Sequence, residues 1–388
     1  MSKLIIFCAD GTWDGPGRDG DGGASGPPTN VYKLFLGLAG TLQGEPLPGE
    51  TEKQLRFGSD VMQVAKYLHG VGHTRNAISR VLGGAFGAGV ISRIVRGYTF
   101  VSRNYQPGDG IVLIGFSRGA YTVRALAGMI ALQGLLSPAL TSDRTAAYRW
   151  GAMAWYRYRK ECARSGIADR LAEAVASLPA FLASGALRSA DLVPVPRIHA
   201  VAVWDTVGAL GIPCYVGDSR TDAFRFCDTA LSPKVQLGLH AVSLDEQRVD
   251  FTPTLWDPRE RMMQLAFPGA HADVGAGYPT GNGESALSDV ALDWIVQNLR
   301  KLETPVRFRI PFYEPFRPDP AGMAHKPWLH APFQGCALAP RVLPAESVGE
   351  HPAVQARIDA GLVVAEPGEA ATRYDPPNRP LQKAHQPA

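Results

Sequence analysis

The segment from Ile111 to Leu135 restricts the possible fold more than any other part of the chain. Ile111-Val112-Leu113-Ile114-Gly115 is a continuous apolar run, the pattern of a strand buried on both faces. Pro107-Gly108-Asp109-Gly110 launches it as a turn. Gly115-Phe116-Ser117-Arg118-Gly119 follows without a linker, and Ala120 to Leu135 then repeats apolar residues at helical spacing. Strand, sharp turn and helix in immediate succession require a helix that doubles back over its own strand. That is the repeating unit of a layered α/β structure.

The same alternation recurs along the chain. Leu4 to Cys8, Val61 to Leu68, Ile198 to Trp204 and Arg261 to Phe267 read as further strands. Helices are expected from Asn30, as cap, through Leu38, over Val90 to Tyr105, and over Ala286 to Leu302. Ser232-Pro233, as N-cap and first helical residue, predicts another through about Leu244, which places His240 on a helix. A mostly parallel sheet with helices on both faces follows. Residues 1–310 are assigned to this α/β domain, with a helical, lid-like insertion over about 141–190. Residues 311–388 are Pro-rich and read as an irregular C-terminal extension whose last part is a loose tail. Within the insertion, Trp150, Trp155, Tyr156 and Tyr158 read as the buried face of a helix.

Ligands in parallel sheets sit at the carboxyl ends of the strands. Asp10, Ser117, Asp205 and His271 each follow a predicted strand directly and are expected at one edge. A serine hydroxyl needs a base to take its proton, and that base needs a third group to hold it. Gly115 and Gly119, two residues either side of Ser117, provide the small positions of a nucleophile elbow. Asp205 and His271 then follow in the chain order Ser, acid, His of the α/β-hydrolase type. Ser117 is the expected nucleophile, His271 the general base and Asp205 the acid that orients it. His240 is the rival histidine, and Asp245 and Asp273 are the rival acids. His199 reads as a core histidine, while His69 and His73 flank a Gly-rich turn near the expected pocket. Backbone N–H groups of Arg118 and of Gly11 or Thr12 are the expected oxyanion donors.

Composition bears on what to exclude. A net charge of +3 over 388 residues does not point to nucleic acid as a partner. The five cysteines are widely spaced and lack any Cys-x-x-Cys pair, so neither a zinc site nor a disulfide framework is indicated. No cofactor is expected: the glycines from Gly83 to Gly89 do not complete a phosphate-binding string. Metal-dependent hydrolysis would require Asp10, Asp205 and Asp273 to cluster, and no ligand spacing supports it. The apolar run at the N-terminus is short and meets Asp10 at once, so a strand is expected there rather than a signal peptide.

Several segments together resemble the catalytic domain of the first class of bacterial type VI secretion lipase effectors. They are Phe7-Cys8-Ala9-Asp10-Gly11-Thr12-Trp13, Gly84 to Gly89, Asn104 to Asp109, Gly115 to Arg124, Trp204 to Gly208, the segment from His240 to Glu246, and Phe267 to Tyr278. They fall in the family's order between residues 3 and 300, with Ala276 where the family often carries glycine. The resemblance implies an α/β-hydrolase fold and puts the family's serine, acid and histidine on Ser117, Asp205 and His271. It further implies A1- or A2-type hydrolysis of phospholipid acyl esters at a membrane surface, a cognate immunity protein, and a secretion spike as delivery partner. Synthesis in a bacterial cytoplasm and delivery to a target-cell periplasm belong to the same expectation. A soluble carboxylesterase or thioesterase with the same triad and a catalytically silent binding protein are the alternatives.

Overall fold

The computed structural model describes residues 2–11, 26–44, 50–70, 86–162, 187–208 and 230–380. Its centre is one sheet of nine strands: β1 (Leu4–Ala9), β2 (Thr41–Gln43), β3 (Glu50–Phe57), β4 (Asp60–Leu68), β5 (Gly110–Phe116), β6 (Ala200–Trp204), β7 (Gly238–Ser243), β8 (Met262–Phe267) and β9 (Gly349–Glu350). Their spatial order is β9-β8-β7-β6-β5-β1-β4-β3-β2. All neighbours from β9 to β4 are parallel, and β3 and β2 add an antiparallel edge. From β1 the chain moves outward on one side to β4 and returns on the other side to β5. The reversal falls between β1 and β5, and parallel sheets place their ligands at the carboxyl ends of strands at such a switch point.

Burial explains why the central strands are apolar throughout. β1 and β5 are buried at every residue because helices cover both faces. On one face lie α2 (Phe86–Asn104), α3 (Arg118–Gln133) and α4 (Arg144–Cys162), sharing a core with Ile5, Phe7, Leu113, Val201 and Val203. On the other lie α1 (Asn30–Gly37) and α6 (Ala286–Arg300), packed on Ile6, Val112, Ile114 and Ala202. Alternate residues of each strand thus serve alternate cores.

Four sequence expectations change. Ser232-Pro233 opens only one turn, closed by Val235 N–H donating to Ser232 O at 2.9 Å, and the chain then enters β7. His240 is therefore a strand residue between β6 and β8, where two neighbouring ladders outweigh a local helix signal. Thr29, not Asn30, caps α1 through its Oγ1, 3.1 Å from Tyr32 N. The Asn30 amide instead donates to the carbonyls of Val274 and Ser288.

The insertion differs in role. Its described helix, α4, packs along α2 and the C-terminal half of α3, with Gln133 Nε2 donating to Ala154 O at 3.0 Å. Trp155 and Tyr158 are buried there and Trp150 packs partly against them, but Tyr156 is 41% exposed, so the expected buried stripe holds for part of the cluster. It lines the core rather than covering Ser117, which sits at the opposite end of α3. The part of the insertion over 163–186 lies outside the described residues.

The C-terminal extension is folded through residue 380. It supplies β9 and the helix α7 (Pro352–Asp359), and its Leu343, Val348 and Val354 close a third small core on Val242, Leu244 and Ala266. Prolines hide this order because most of the segment is held by side-chain contacts rather than ladders. Arg379 pairs with Glu350 at 2.7 Å, and Asn378 donates to Leu244 O at 2.9 Å.

Lys33 of α1 and Asp289 of α6 form an ion pair at 2.8 Å with both side chains essentially inaccessible. Removing one partner of such a pair strands the other charge in a low-dielectric core. Lys33→Met is expected to destabilise folding by about 3–5 kcal/mol, and Lys33→Met/Asp289→Leu to regain much of that loss. Urea unfolding at neutral pH measures both; a single variant within about 1 kcal/mol of wild type would show the pair to be dispensable.

Candidate active site

The elbow is built by what two glycines leave out. A Cβ on Gly119 would stand 2.0 Å from Ala9 O, and one on Gly115 would stand 2.5 Å from Gly119 O. Their absence lets the start of α3 lie directly on the ends of β1 and β5. The turn between them drives Ser117 to φ +55° and ψ −122°, a sparsely populated region that persists only when its surroundings fix it. This is the strained serine geometry that the Gly-Phe-Ser-Arg-Gly string predicts.

The β5–β6 register pairs Phe116 with Trp204, so the next residues, Ser117 and Asp205, leave adjacent strands at one level. Asp205 also has positive φ, +34°. His271 starts the short helix α5 (His271–Gly275) after β8, two strands from β6, and Pro268-Gly269-Ala270 carries it back across β7. Its Nε2 lies 3.0 Å from Ser117 Oγ and its Nδ1 2.5 Å from Asp205 Oδ2. The three predicted residues thus form one unbroken hydrogen-bond chain. The imidazole is packed between the rings of Phe116 and Phe251, with centroids at 4.6 and 5.0 Å. Glu246 accepts the His271 backbone N–H at 3.1 Å and is itself paired with Arg248 at 2.7 Å.

The rival residues serve elsewhere. His240 is fully buried behind Asp205, with Nε2 accepting from Thr206 N at 3.1 Å and Nδ1 2.8 Å from Gln264 Oε1. Burial pushes its pKa down to about 3, which makes it a neutral scaffold for the turn carrying Asp205. Asp245 accepts from Gly269 N and Tyr374, and Asp273 caps α5 through Ala270 N and pairs with His325 at 2.6 Å. His199 accepts the Ile111 N–H, and His69 rests against the Tyr67 ring; His73 lies outside the described residues. Asp10, Asp205 and Asp273 do not converge as a metal cluster would require. No group of three or more metal-binding side chains occurs among the described residues. Asp10 instead accepts from Thr29 Oγ1, Tyr67 OH and Gly11 N.

That last bond changes the reading of the oxyanion loop. Gly11 N–H is spent on Asp10 Oδ1 at 2.8 Å, and Thr12 lies outside the described residues. Arg118 occupies the expected place, opening α3 directly after Ser117.

Sequence reasoning missed Arg341. Its guanidinium lies on Asp205, with Nη1 2.6 Å from Oδ1 and Nη2 2.9 Å from Oδ2, and it donates further to Ser243 O and Phe251 O. No motif marks it, because its partner is 136 positions away in a segment without periodicity. Burial by itself would raise the Asp205 carboxyl. Arg341 and His271 more than reverse this and hold it well below the usual carboxylate range. Burial lowers the His271 pKa, offset only in part by Asp205.

Comparison with known proteins places the chain in a family. The family described as "T6SS, Phospholipase effector Tle1-like, catalytic domain" matches residues 3–298. The chain belongs to this family. It is 27% identical over 293 residues to the uncharacterized protein YEL023C of Saccharomyces cerevisiae, a match covering 72% of this chain and 37% of the yeast protein. Among solved structures, an uncharacterized protein from Pseudomonas aeruginosa aligns at TM-score 0.42 and 17% identity, covering 82% of this chain and 49% of that one. The Tle1 effector bound to the VgrG spike of the type VI secretion system aligns at TM-score 0.37 and 17% identity, covering 72% and 52%. The chain thus spans about a third of the yeast relative and about half of each solved chain. The family match ends at residue 298, so Arg341 lies outside the matched span.

Ala276, just past α5, stands at φ +64° and ψ −177°, a conformation that glycine alone adopts freely. Ala276→Gly is therefore expected to stabilise the fold by about 1 kcal/mol, read as a higher urea midpoint; an unchanged or lower midpoint counts against strain there. A base must be neutral to accept a proton, and His271 is shifted downward. The acid limb of kcat/KM should then fall below the ordinary imidazole value of about 6.5. A pH–rate profile with its acid midpoint above about 7 would contradict that assignment.

Proposed function

We propose that this Tle1-like domain hydrolyses carboxylic esters of lipids, with phospholipid acyl esters as the substrate class. The observation that carries the reading is the continuous chain Ser117 Oγ, His271 Nε2, His271 Nδ1 and Asp205 at 3.0 and 2.5 Å. Ser117 Oγ attacks the ester carbonyl while its proton passes to His271 Nε2. The carbonyl oxygen becomes an oxyanion, received by the backbone N–H of Arg118. The intermediate collapses, the C–O bond to the lysolipid breaks, and His271 returns the proton to the leaving alkoxide. Water then repeats the sequence on the acyl-serine, releasing fatty acid and restoring Ser117. Asp205 keeps its negative charge throughout and stabilises the imidazolium.

Family membership favours lipid over a small soluble ester and supports an effector role. Under this reading the chain is delivered by a type VI secretion system on a spike protein such as VgrG, acts at a target-cell membrane and is restrained by an immunity protein.

The test uses a fluorophosphonate probe with wild type and Ser117→Ala, and measures fatty-acid release from phospholipid vesicles and from a short soluble ester. Only wild type should be labelled, and it should release fatty acid from vesicles. The alanine variant should lose about a million-fold in turnover, as nucleophile removal does in serine hydrolases. Activity confined to the soluble ester would move the substrate class to that of a general esterase. An unlabelled wild type would remove Ser117 as nucleophile.

A further inference from the structure

We propose that Arg341 is a positioning residue of this site: its guanidinium fork fixes the Asp205 carboxylate against His271, so that the segment beyond residue 298 completes the catalytic centre. The inference rests on the hydrolase reading above.

The geometry is specific. Arg341 approaches Asp205 with two nitrogens on two oxygens, the parallel arrangement that guanidinium makes with carboxylate and ammonium does not. Both side chains are buried, 4% and 0% exposed. The two remaining contacts, to Ser243 O and Phe251 O, tie the same guanidinium to the end of β7 and to the loop whose Phe251 ring faces the imidazole. Ser243 N donates to Asp205 Oδ1 as well, at 2.9 Å. Apart from His271, three hydrogen bonds from two groups, Arg341 and Ser243 N, therefore fix the rotation of the carboxylate.

Charge bookkeeping gives the second argument. His271 faces Asp205 from the end of β6 and Glu246 and Arg248 from the segment after β7. Glu246 and Arg248 neutralise one another at 2.7 Å. Asp205 faces His271, Arg341 and the neutral ring of His240, with Arg124 of α3 beyond that ring. Arg341 is thus the permanent counter-charge of Asp205. Without it, a fully buried carboxylate would keep only an imidazole and one backbone N–H as partners, and no permanent positive charge. A proton would then bind the Asp205–His271 pair at higher pH, whichever member holds it. Protonation of the pair removes the base, so the acid limb of activity must move upward.

The experiment takes the full chain as wild type, Arg341→Met and Arg341→Lys. It records the rate of fluorophosphonate inactivation, kcat and KM on a short soluble ester from about pH 5 to 9, and thermal unfolding. Arg341→Met should unfold cooperatively, lose about tenfold or more in kcat with little change in KM, and show an acid limb raised by about one pH unit. Arg341→Lys should recover part of both effects, since it restores the charge but not the fork. A folded Arg341→Met with wild-type kcat and acid limb would overturn the inference. Should the methionine variant fail to fold, the lysine variant decides: reduced kcat in a folded protein supports the fork, and wild-type kcat and acid limb overturn it. A wild type that neither reacts with the probe nor cleaves the ester overturns the hydrolase reading and this inference with it. An active wild type matched by Arg341→Met removes the inference alone.

Discussion

A carboxylate with no access to water must find its compensation inside the protein, and at Asp205 that demand organises much of the molecule. Its two oxygens receive His271, Arg341 and the Ser243 backbone, which come from three regions far apart in the chain. To bring them together, β8 must deliver His271 across β7, and the extension must fold back over the carboxyl ends of the strands. The third core, with Leu343, Val348 and Val354 packed on Val242, Leu244 and Ala266, supplies the apolar burial that holds this return in place. A polar contact and an apolar one thus support each other. The apolar core fixes where Arg341 lies, and Arg341 makes the burial of Asp205 tolerable.

A second constraint acts on the other side of the site. Gly119 has no room for a side chain because Ala9 O and Asp10 O approach it from β1. The close fit presses α3 onto the sheet and forces Ser117 into its positive-φ conformation. Strain at the serine is accepted because a fully buried strand lies beneath it and a buried helix follows it. The sheet, not the loop, is what aims Oγ at the imidazole.

Much of this was legible in the chain. The apolar runs of β1, β5 and β6 read as buried strands and that of β8 as a partly buried one, and the residues that end them are expected to share an edge. That sufficed to bring Ser117, Asp205 and His271 together, because the order of residues in a parallel sheet fixes which loops meet. The helix expected over 232–244 was misread, since Ser-Pro is a sound local signal and β7 owes its state to neighbours on both sides. β3 was not singled out, because Glu50-Thr51-Glu52-Lys53-Gln54 is polar on a strand whose charges are met by Lys66, Arg103 and nearby carbonyls.

The sequence by itself determined the layered α/β framework, the elbow and the identity of the three residues in the hydrogen-bond chain, because period, glycine placement and chain order are local properties. Only the tertiary structure decided what compensates the buried acid, which rival acid and histidine stand aside, and that the proline-rich end belongs to the site. Those outcomes depend on contacts between residues that are not neighbours along the chain, from His240 with Gln264, 24 positions apart, to Arg341 with Asp205, 136 apart. Such contacts leave no periodic trace: a guanidinium needs only to arrive once, in the right place, and nothing in its neighbours along the chain records where that place is.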